Sequence, residues 1–256
     1  MLSEHVASAR FSWAHLLPAA LLILSWEWLA WRFPESRFFF SEPGAVLMAL
    51  WSGVASGELL RHTAVTGFEA LLGFAIGTTC GAVIGLSFWY WAPVGRMARP
   101  YIVAAGAVPV FAIAPMVIVW FGIGIFAKVM VAVLSTLFVA ITQAYQGATN
   151  VDPRYLRLMA VLGGTRKQSF IKVVAPSALQ WVLNSMRLNV GLALAGAFVG
   201  EFISSQQGLG WYILRAASLF DVSRVLAGCV VLATLALVLN AGVDALERTL
   251  TRRRSA

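Results

Sequence analysis

Six apolar runs decide what this chain can fold into. They cover approximately Leu16–Arg32, Ala64–Trp89, Ile102–Phe121, Phe126–Tyr145, Leu179–Gly200 and Val225–Leu246, and a helix crosses roughly 30 Å of hydrocarbon with about 20 such residues. Lipid offers no hydrogen bonds, so each backbone N–H and C=O must find its partner inside the segment. The pattern therefore predicts an all-α polytopic membrane protein with six transmembrane helices. Composition agrees: 60% of the 256 residues are hydrophobic and 12% charged, against about a quarter charged in soluble domains. The first run is too long for a signal-peptide core and ends in "WEWLAWRF" with no small-residue cleavage site, so it reads as a retained span.

The formal net charge of +8 is better explained by topology than by nucleic acid, because the Lys and Arg residues fall between apolar runs and form no basic face with aromatic platforms. Placing both termini in the cytoplasm puts Arg10, Arg96, Arg99, Arg154, Arg157, Arg166, Lys167, Lys172, Arg248, Arg252, Arg253 and Arg254 on that side. That is twelve of the nineteen basic residues. Arg37, Arg61, Lys128 and Arg215 are left scattered on the other side, the positive-inside bias. The expected organisation is a cytoplasmic tail over 1–15, a six-span domain over 16–246 and a basic cytoplasmic tail over 247–256. Cys80 and Cys229 lie in apolar runs, and His5, His15 and His62 share no ligand spacing, so neither a disulfide nor a metal site is expected.

Polar and small residues interrupt the runs in a pattern. Gly73, Gly77, Gly81 and Gly85 recur every fourth position in the second run, one turn after Glu69, which makes a stripe where another backbone can approach closely. Glu69 reads either as a satisfied carboxylate beside a helix seam or as a polar group on a solute path. Pro109 and Pro115 in "GAVPVFAIAPMVIVWFGIG" remove backbone donors, so the third span is kinked or broken and belongs beside protein or a water-lined path. The fifth run carries Asn184, Arg187, Asn189 and Glu201; Arg187 either snorkels to the cytoplasmic surface or faces inward. Glu201 opens a polar stretch to residue 223, expected as an external loop with a short surface helix.

The segment 152–176 carries its own helix signals. Asp152 before Pro153 is an N-cap with proline at the first helical position. Tyr155, Leu158, Met159 and Leu162 follow at helical spacing as an apolar stripe, with Arg154 and Arg157 on another side. Gly163 supplies the stop. After Gly164, Thr165 and Gln168 form a capping box that opens a second helix, which Pro176 should end or kink. Such a helix-turn-helix can lie on lipid headgroups or dock its apolar side into a partner's groove.

"RLMAVLGGTRKQSFIKVVAPSAL" resembles the E-A-A-x3-G-x9-I-x-L-P loop of the permease subunits of bacterial ATP-binding-cassette importers. Gly163 and Pro176 stand thirteen residues apart as that pattern requires, and Val173 occupies its Ile position. Arg157, Leu158 and Met159 replace Glu-Ala-Ala, and Ala175 replaces Leu. "APMVIVWFGIGIFAKV" and "GEFISSQQGLGWYILRAASLFDVSRVLAG" resemble stretches of the nitrate/sulfonate/taurine-type permeases, a group that includes importers of thiamine-precursor pyrimidines and riboflavin.

The resemblance implies a bacterial inner-membrane permease that pairs with a second permease chain, most simply as a homodimer. It also implies two cytoplasmic ATP-binding subunits and an external solute-binding protein. The chain has no G-x4-G-K-[ST] loop, so ATP and Mg belong on the partner ATPase, and this subunit is not itself an enzyme and binds no cofactor. Within that scheme Tyr155, Leu158, Met159 and Leu162 form the docking knob. Gly163 and Gly164 supply the turn, Arg166 and Lys167 orient the contact, and Pro176 joins the loop to the fifth span. A sulfonate, nitrate or taurine-like anion is the expected solute, and a pyrimidine precursor or riboflavin the alternative. The competing classes are a channel that needs no ATPase and an intramembrane enzyme; the latter lacks a Ser/His or His/Glu pair at matching depth in the runs, and no partner is assigned to Glu69 or Glu201.

Overall fold

The computed structural model describes residues 16–252, and the expectations for 1–15 and 253–256 lie outside the described residues. Helices account for nearly all of the described chain: α1 (Leu16–Arg32), α2 (Ser36–Phe40), α3 (Pro43–Ala55), α4 (Glu58–Tyr90), α5 (Ala92–Gly106), α6 (Val110–Phe121), α7 (Ile125–Thr149), α8 (Pro153–Val161), α9 (Arg166–Ser169), α10 (Ala175–Ser204), α11 (Leu209–Ser218) and α12 (Val222–Arg252).

The centre of the fold is α4, α7 and α10 packed on one another, and small residues make that packing possible. The glycine stripe of α4 lies against α7: Gly73 meets Ala132, Gly77 meets Val133 and Thr136, Gly81 meets Leu137 and Ala140, and Gly85 meets Ile141 and Ala144. A Cβ at Gly81 would stand 2.6 Å from the Leu137 carbonyl oxygen. Backbones this close gain dispersion contacts that lipid chains cannot supply, the usual driving force for helix association in membranes. The core is correspondingly small-grained, with Ala70, Ala132, Leu194 and Ala197 at one level and Ala148, Val151, Val174 and Ala178 nearer the cytoplasmic turn. Large apolar side chains such as Trp51, Met97, Trp120 and Leu237 face outward, the reverse of a soluble protein and the arrangement lipid requires.

Among the described residues, five segments are long and apolar enough to cross a bilayer: 36–55, 58–90, 125–149, 166–204 and 222–249; the pair α5 and α6 makes a sixth if counted as one span. The set differs from the sequence expectation in four ways. Leu16–Arg32, expected as the first span, is helical as α1 but with 17 residues is not among these segments. Residues 36–55, which the six-run pattern passed over, form helix, because "FFF" and "AVLMALW" are separated only by Ser41-Glu42-Pro43-Gly44, where Ser41 turns the chain at φ 59°. The third span is broken, as expected: it is two helices bent by 96°, with Pro109 extended (φ −60°, ψ 132°) at the cap of α6 and Pro115 inside α6.

Third, Pro176 does not end the second helix of the turn. It lies in the first turn of α10, and helix runs from Arg166 to Ser204. A π-helical turn at Phe170–Val174, in which the Ala175 N–H donates to the Phe170 carbonyl, widens the chain just where the proline lacks a donor and its ring would crowd the preceding turn. Fourth, the outer stretch is less of a loop than expected, since α10 continues to Ser204 and α11 buries Leu209, Tyr212, Ile213 and Ala216 instead of lying on the surface. Burial, with the charge of Glu58 second, pushes the Tyr212 phenol above its ordinary pKa.

Candidate functional site

The turn between α8 and α9 is built by local chemistry. The Asp152 side chain accepts from the Arg154 N–H at 2.8 Å and starts α8. At its end Gly163 takes φ 71°, the Gly164 N–H donates to the Met159 carbonyl at 2.8 Å and the Gly163 N–H to the Ala160 carbonyl at 3.1 Å. Those two bonds are the Schellman pattern, which needs a left-handed residue at Gly163. Thr165 and Gln168 then close a reciprocal capping box: the Thr165 N–H donates to Gln168 Oε1 at 2.8 Å, and the Gln168 N–H to Thr165 Oγ1 at 3.3 Å.

Of the apolar stripe, Tyr155, Leu158 and Leu162 are 59%, 54% and 71% exposed, while Met159 is half-buried over Gly164. Leu156 turns inward against Val151, Val174 and their neighbours and fixes α8 to the bundle. Arg157 and Lys167 are exposed. Arg166 is engaged within the chain: its Nη2 donates to the Tyr90 carbonyl at 2.7 Å, and the guanidinium lies 5.5 Å from the Trp89 ring centroid. A cation on the last carbonyls of α4 satisfies groups the helix leaves open and complements its dipole. Arg166 thus ties the turn to the cytoplasmic end of α4.

At the other end of the bundle a polar network is buried among α4, α7, α10 and α11. Glu69 and Lys128 form an ion pair, and Glu69, Glu201 and Thr66 are completely buried. Lys128, expected among scattered external charges, is 6% exposed, and its Nζ also donates to Ser205 Oγ at 3.2 Å. Glu201 accepts from Thr66 Oγ1 at 2.6 Å and from the Gly210 N–H at 2.7 Å. The Leu209 N–H donates to Thr66 Oγ1 at 2.8 Å and the Gly208 N–H to His62 Nδ1 at 2.9 Å. Three successive N–H groups at the start of α11 are therefore held by side chains of α4 and α10. Gly208 (φ 105°) and Gly210 leave room for this, since a Cβ at Gly210 would stand 2.6 Å from the Phe198 carbonyl oxygen. Glu69 and Glu201 thus do have partners, supplied by residues distant in sequence.

The remaining polar positions separate. Asn189 is buried and its Nδ2 donates to Thr78 Oγ1 at 3.3 Å. Asn184 is exposed. Arg187 is exposed and pairs with Asp244 at 2.6 Å and Glu247 at 3.3 Å on α12, so it ends in an ion-pair cluster.

A bundle of helices with apolar outer faces, a broken span and a capped helix-turn-helix has the architecture of a multi-pass membrane protein. The chain belongs to the family described as the binding-protein-dependent transport system inner membrane component, which it matches over residues 73–255. It is 33% identical to the riboflavin transport system permease protein RibX of Chloroflexus aurantiacus over 95% of this chain and 92% of that one. It is 30% identical to the formylaminopyrimidine transport permease protein ThiX of Halalkalibacterium halodurans (90% and 91% covered), and 27% identical to the taurine transport system permease protein TauC of Escherichia coli (98% and 96%). Its fold is similar to that of a crystallised amino acid ABC transporter, with a TM-score of 0.61 at 19% identity over 80% of this chain and 98% of the other. It is thus a multi-pass subunit of the ABC importer permease family.

Proposed function

We propose that α8 and the turn after it are the element through which a separate cytoplasmic ATPase drives this permease. The observation that carries the reading is an apolar side left exposed on a helix whose two ends are fully capped. Isolated apolar residues on a surface need no explanation, but Tyr155, Leu158, Val161 and Leu162 cluster on one nine-residue helix and its cap, flanked by Arg157 and Lys167, which suits a groove with an acidic rim. Because helix continues from Arg166 into the membrane, a push on the turn moves a span rather than a flexible loop. Closure of the ATPases around ATP would bias the bundle between two states through their different affinities for it.

The full assembly on this reading has two permease copies, two ATP-binding subunits that hold ATP and Mg, and an external solute-binding protein. Both termini lie in the cytoplasm of the bacterial inner membrane. On this reading α1 crosses the membrane, and 36–55, although long enough in total to cross, lies at the outer boundary as two helices of 5 and 13 residues, the longer about 20 Å at 1.5 Å per residue. A further crossing there would move Arg96 and Arg99 away from the cytoplasmic basic residues, against the positive-inside bias.

The solute is a small molecule of the sulfonate or taurine kind. A second reading, a pyrimidine precursor or riboflavin, has comparable support, since ThiX and RibX are 30% and 33% identical to this chain and the aliphatic sulfonates permease SsuC of Escherichia coli is 31% identical. The coupling assignment is tested by deleting residues 163–166 in the assembled importer. The expected result is loss of ATPase co-purification and of ATP-driven uptake, with the thermal transition of the permease retained. Uptake and co-purification that survive the deletion end the assignment; uptake that never needs ATP indicates a channel.

A further inference from the structure

The first half of α5 carries two cations that the chain itself does not answer. Arg96 and Arg99 are exposed, and among the described residues neither side chain enters an ion pair. The sequence holds no Asp or Glu between Glu69 and Asp152. Glu69 pairs with Lys128 at the far end of the bundle, and Asp152 caps α8. Asp244 and Glu247 hold Arg187.

The neighbours of α5 fix the level of the pair. Gly95 lies against Phe88 and Tyr145, and Gly106 lies against Phe138. Phe88 is two residues before the end of α4 and Tyr145 four before the end of α7, about 3 and 6 Å at 1.5 Å per residue. Phe138 is eleven residues before the end of α7, about 16 Å inward. The helix therefore starts at the membrane surface and slants toward the middle of the bilayer, with Arg96 and Arg99 in its shallow first half. Trp91 at its start and Tyr101 within it are exposed, and both residue types favour the headgroup level. Val94 and Met97 are exposed with them, so positions 94, 97 and 101 form an apolar stripe at helical spacing that suits acyl chains.

Three residues apart, the two guanidinium groups are neighbours on the helix surface. Arg99 also lines a cleft between α5 and α7 with Phe88, Ile102, Ile141 and Tyr145. A guanidinium takes phosphate oxygens through paired N–H donors, and its long stem lets it reach the phosphate level from a Cα lying below it. A basic site beside an apolar cleft between helices fits the head and the first chain carbons of a phospholipid. Two positive charges with no acid between them select a headgroup of net negative charge over a zwitterionic one, whose own ammonium already offsets its phosphate.

We infer that Arg96 and Arg99 form a binding site for the phosphodiester of an anionic phospholipid at the end of the bundle that carries α8. The inference requires only that α5 lies in a membrane and is independent of the importer reading. It is tested on the full chain in nanodiscs of phosphatidylcholine with a minor fraction of phosphatidylglycerol, the retained lipid being counted by native mass spectrometry. Arg96→Gln with Arg99→Gln should lower the enrichment of phosphatidylglycerol by about tenfold or more, the scale of two basic groups at a lipid surface. Arg154→Gln with Lys167→Gln removes as much charge from the turn and should lower it by less than about twofold, since attraction there is diffuse and screened.

Equal falls in the two double variants overturn the inference, because they assign the enrichment to net charge, and so does an unchanged enrichment in the α5 variant. If that variant fails to fold, a phosphatidylglycerol with a photoreactive diazirine beside its phosphate decides on the unsubstituted chain. Cross-links within residues 92–106 support the site, and cross-links confined to other segments overturn it. Loss of ATPase co-purification by the α5 variant in lipid-free detergent, with lipid enrichment intact, assigns the arginines to a protein partner and overturns it as well.

Discussion

The two ends of the bundle are built by opposite means. At the end that carries α8, the bonds within the turn join residues at most five positions apart, from Asp152–Arg154 to Gly164–Met159, and the apolar side of α8 stays exposed. At the outer end, Thr66 reaches Glu201 across 135 positions and the Gly208 N–H reaches His62 across 146, and nearly every group is out of water. One end is a local motif with an exposed apolar side; the other is a long-range assembly of side chains from separate helices, in which Glu69 Oε2 and Ser204 Oγ are buried without a hydrogen bond. Substitutions should therefore separate them: outer ones act on folding, and inner ones on association.

The sharpest test removes a charge from the outer end. Lys128→Ala strands the completely buried Glu69, and breaking a buried pair from one side costs about 3–5 kcal/mol. A large fall in the thermal transition of the detergent-solubilised permease is expected. Lys128→Met combined with Glu69→Met should recover most of it, because the orphaned charge is gone. A single variant as stable as the original would mean that the pair carries no structural burden.

The inner end should show the reverse pattern. Leu158→Asp with Leu162→Asp places two charges on the exposed side of α8 and is expected to weaken ATPase co-purification by about 2 kcal/mol or more, the scale of an interface hot spot. The thermal transition of the isolated permease should stay within about 0.5 kcal/mol of its starting value, as for surface substitutions generally. Loss of stability without loss of binding would invert the comparison.

This division also accounts for what the sequence discloses. The α8 cap, the Gly163 stop and the Thr165–Gln168 box are written in adjacent residues, and each is found where those residues place it. The glycine stripe of α4 is equally legible as a seam, although its partner, α7, is not named by any spacing. Lys128 looks like one more surface charge because its neighbours in sequence are apolar, and only the approach of α4 and α10 turns it into the counter-ion of Glu69. The helices at 36–55 escape because their apolar residues are divided at Ser41 and Glu42 into pieces shorter than a span. Pro176 misleads for a different reason: one widened turn lets a helix pass a proline, and that accommodation has no residue signature of its own.

Within the outer network, Thr66→Val is the next smaller perturbation. It keeps the shape but removes the hydroxyl that donates to Glu201 and accepts from the Leu209 N–H. Two buried groups lose their partner, at about 1–3 kcal/mol for each unsatisfied group. Thr66→Ser retains the hydroxyl and should keep most of the stability, so the difference between the two variants, read from thermal unfolding, isolates the hydrogen bonds from the packing.

The smallest expected effect returns to the turn and tests whether the local motif is only local. Thr165→Ala removes one half of the capping box, worth about 1 kcal/mol for a typical N-cap. The second helix of the turn is continuous with a long span, so this loss should not unfold it; fraying should be confined to α9. Hydrogen exchange should therefore rise at the Gln168 amide, while amides in α4 and in the membrane part of α10 keep their protection. Arg166→Ala acts on the same turn from outside, by removing the donor on the Tyr90 carbonyl, and should loosen the turn relative to α4 without exposing the Gln168 amide. If either substitution spreads exchange into the α4–α7 seam, the two ends are coupled more tightly than their separate construction implies, and the turn acts on the bundle through α4 as well as through α10.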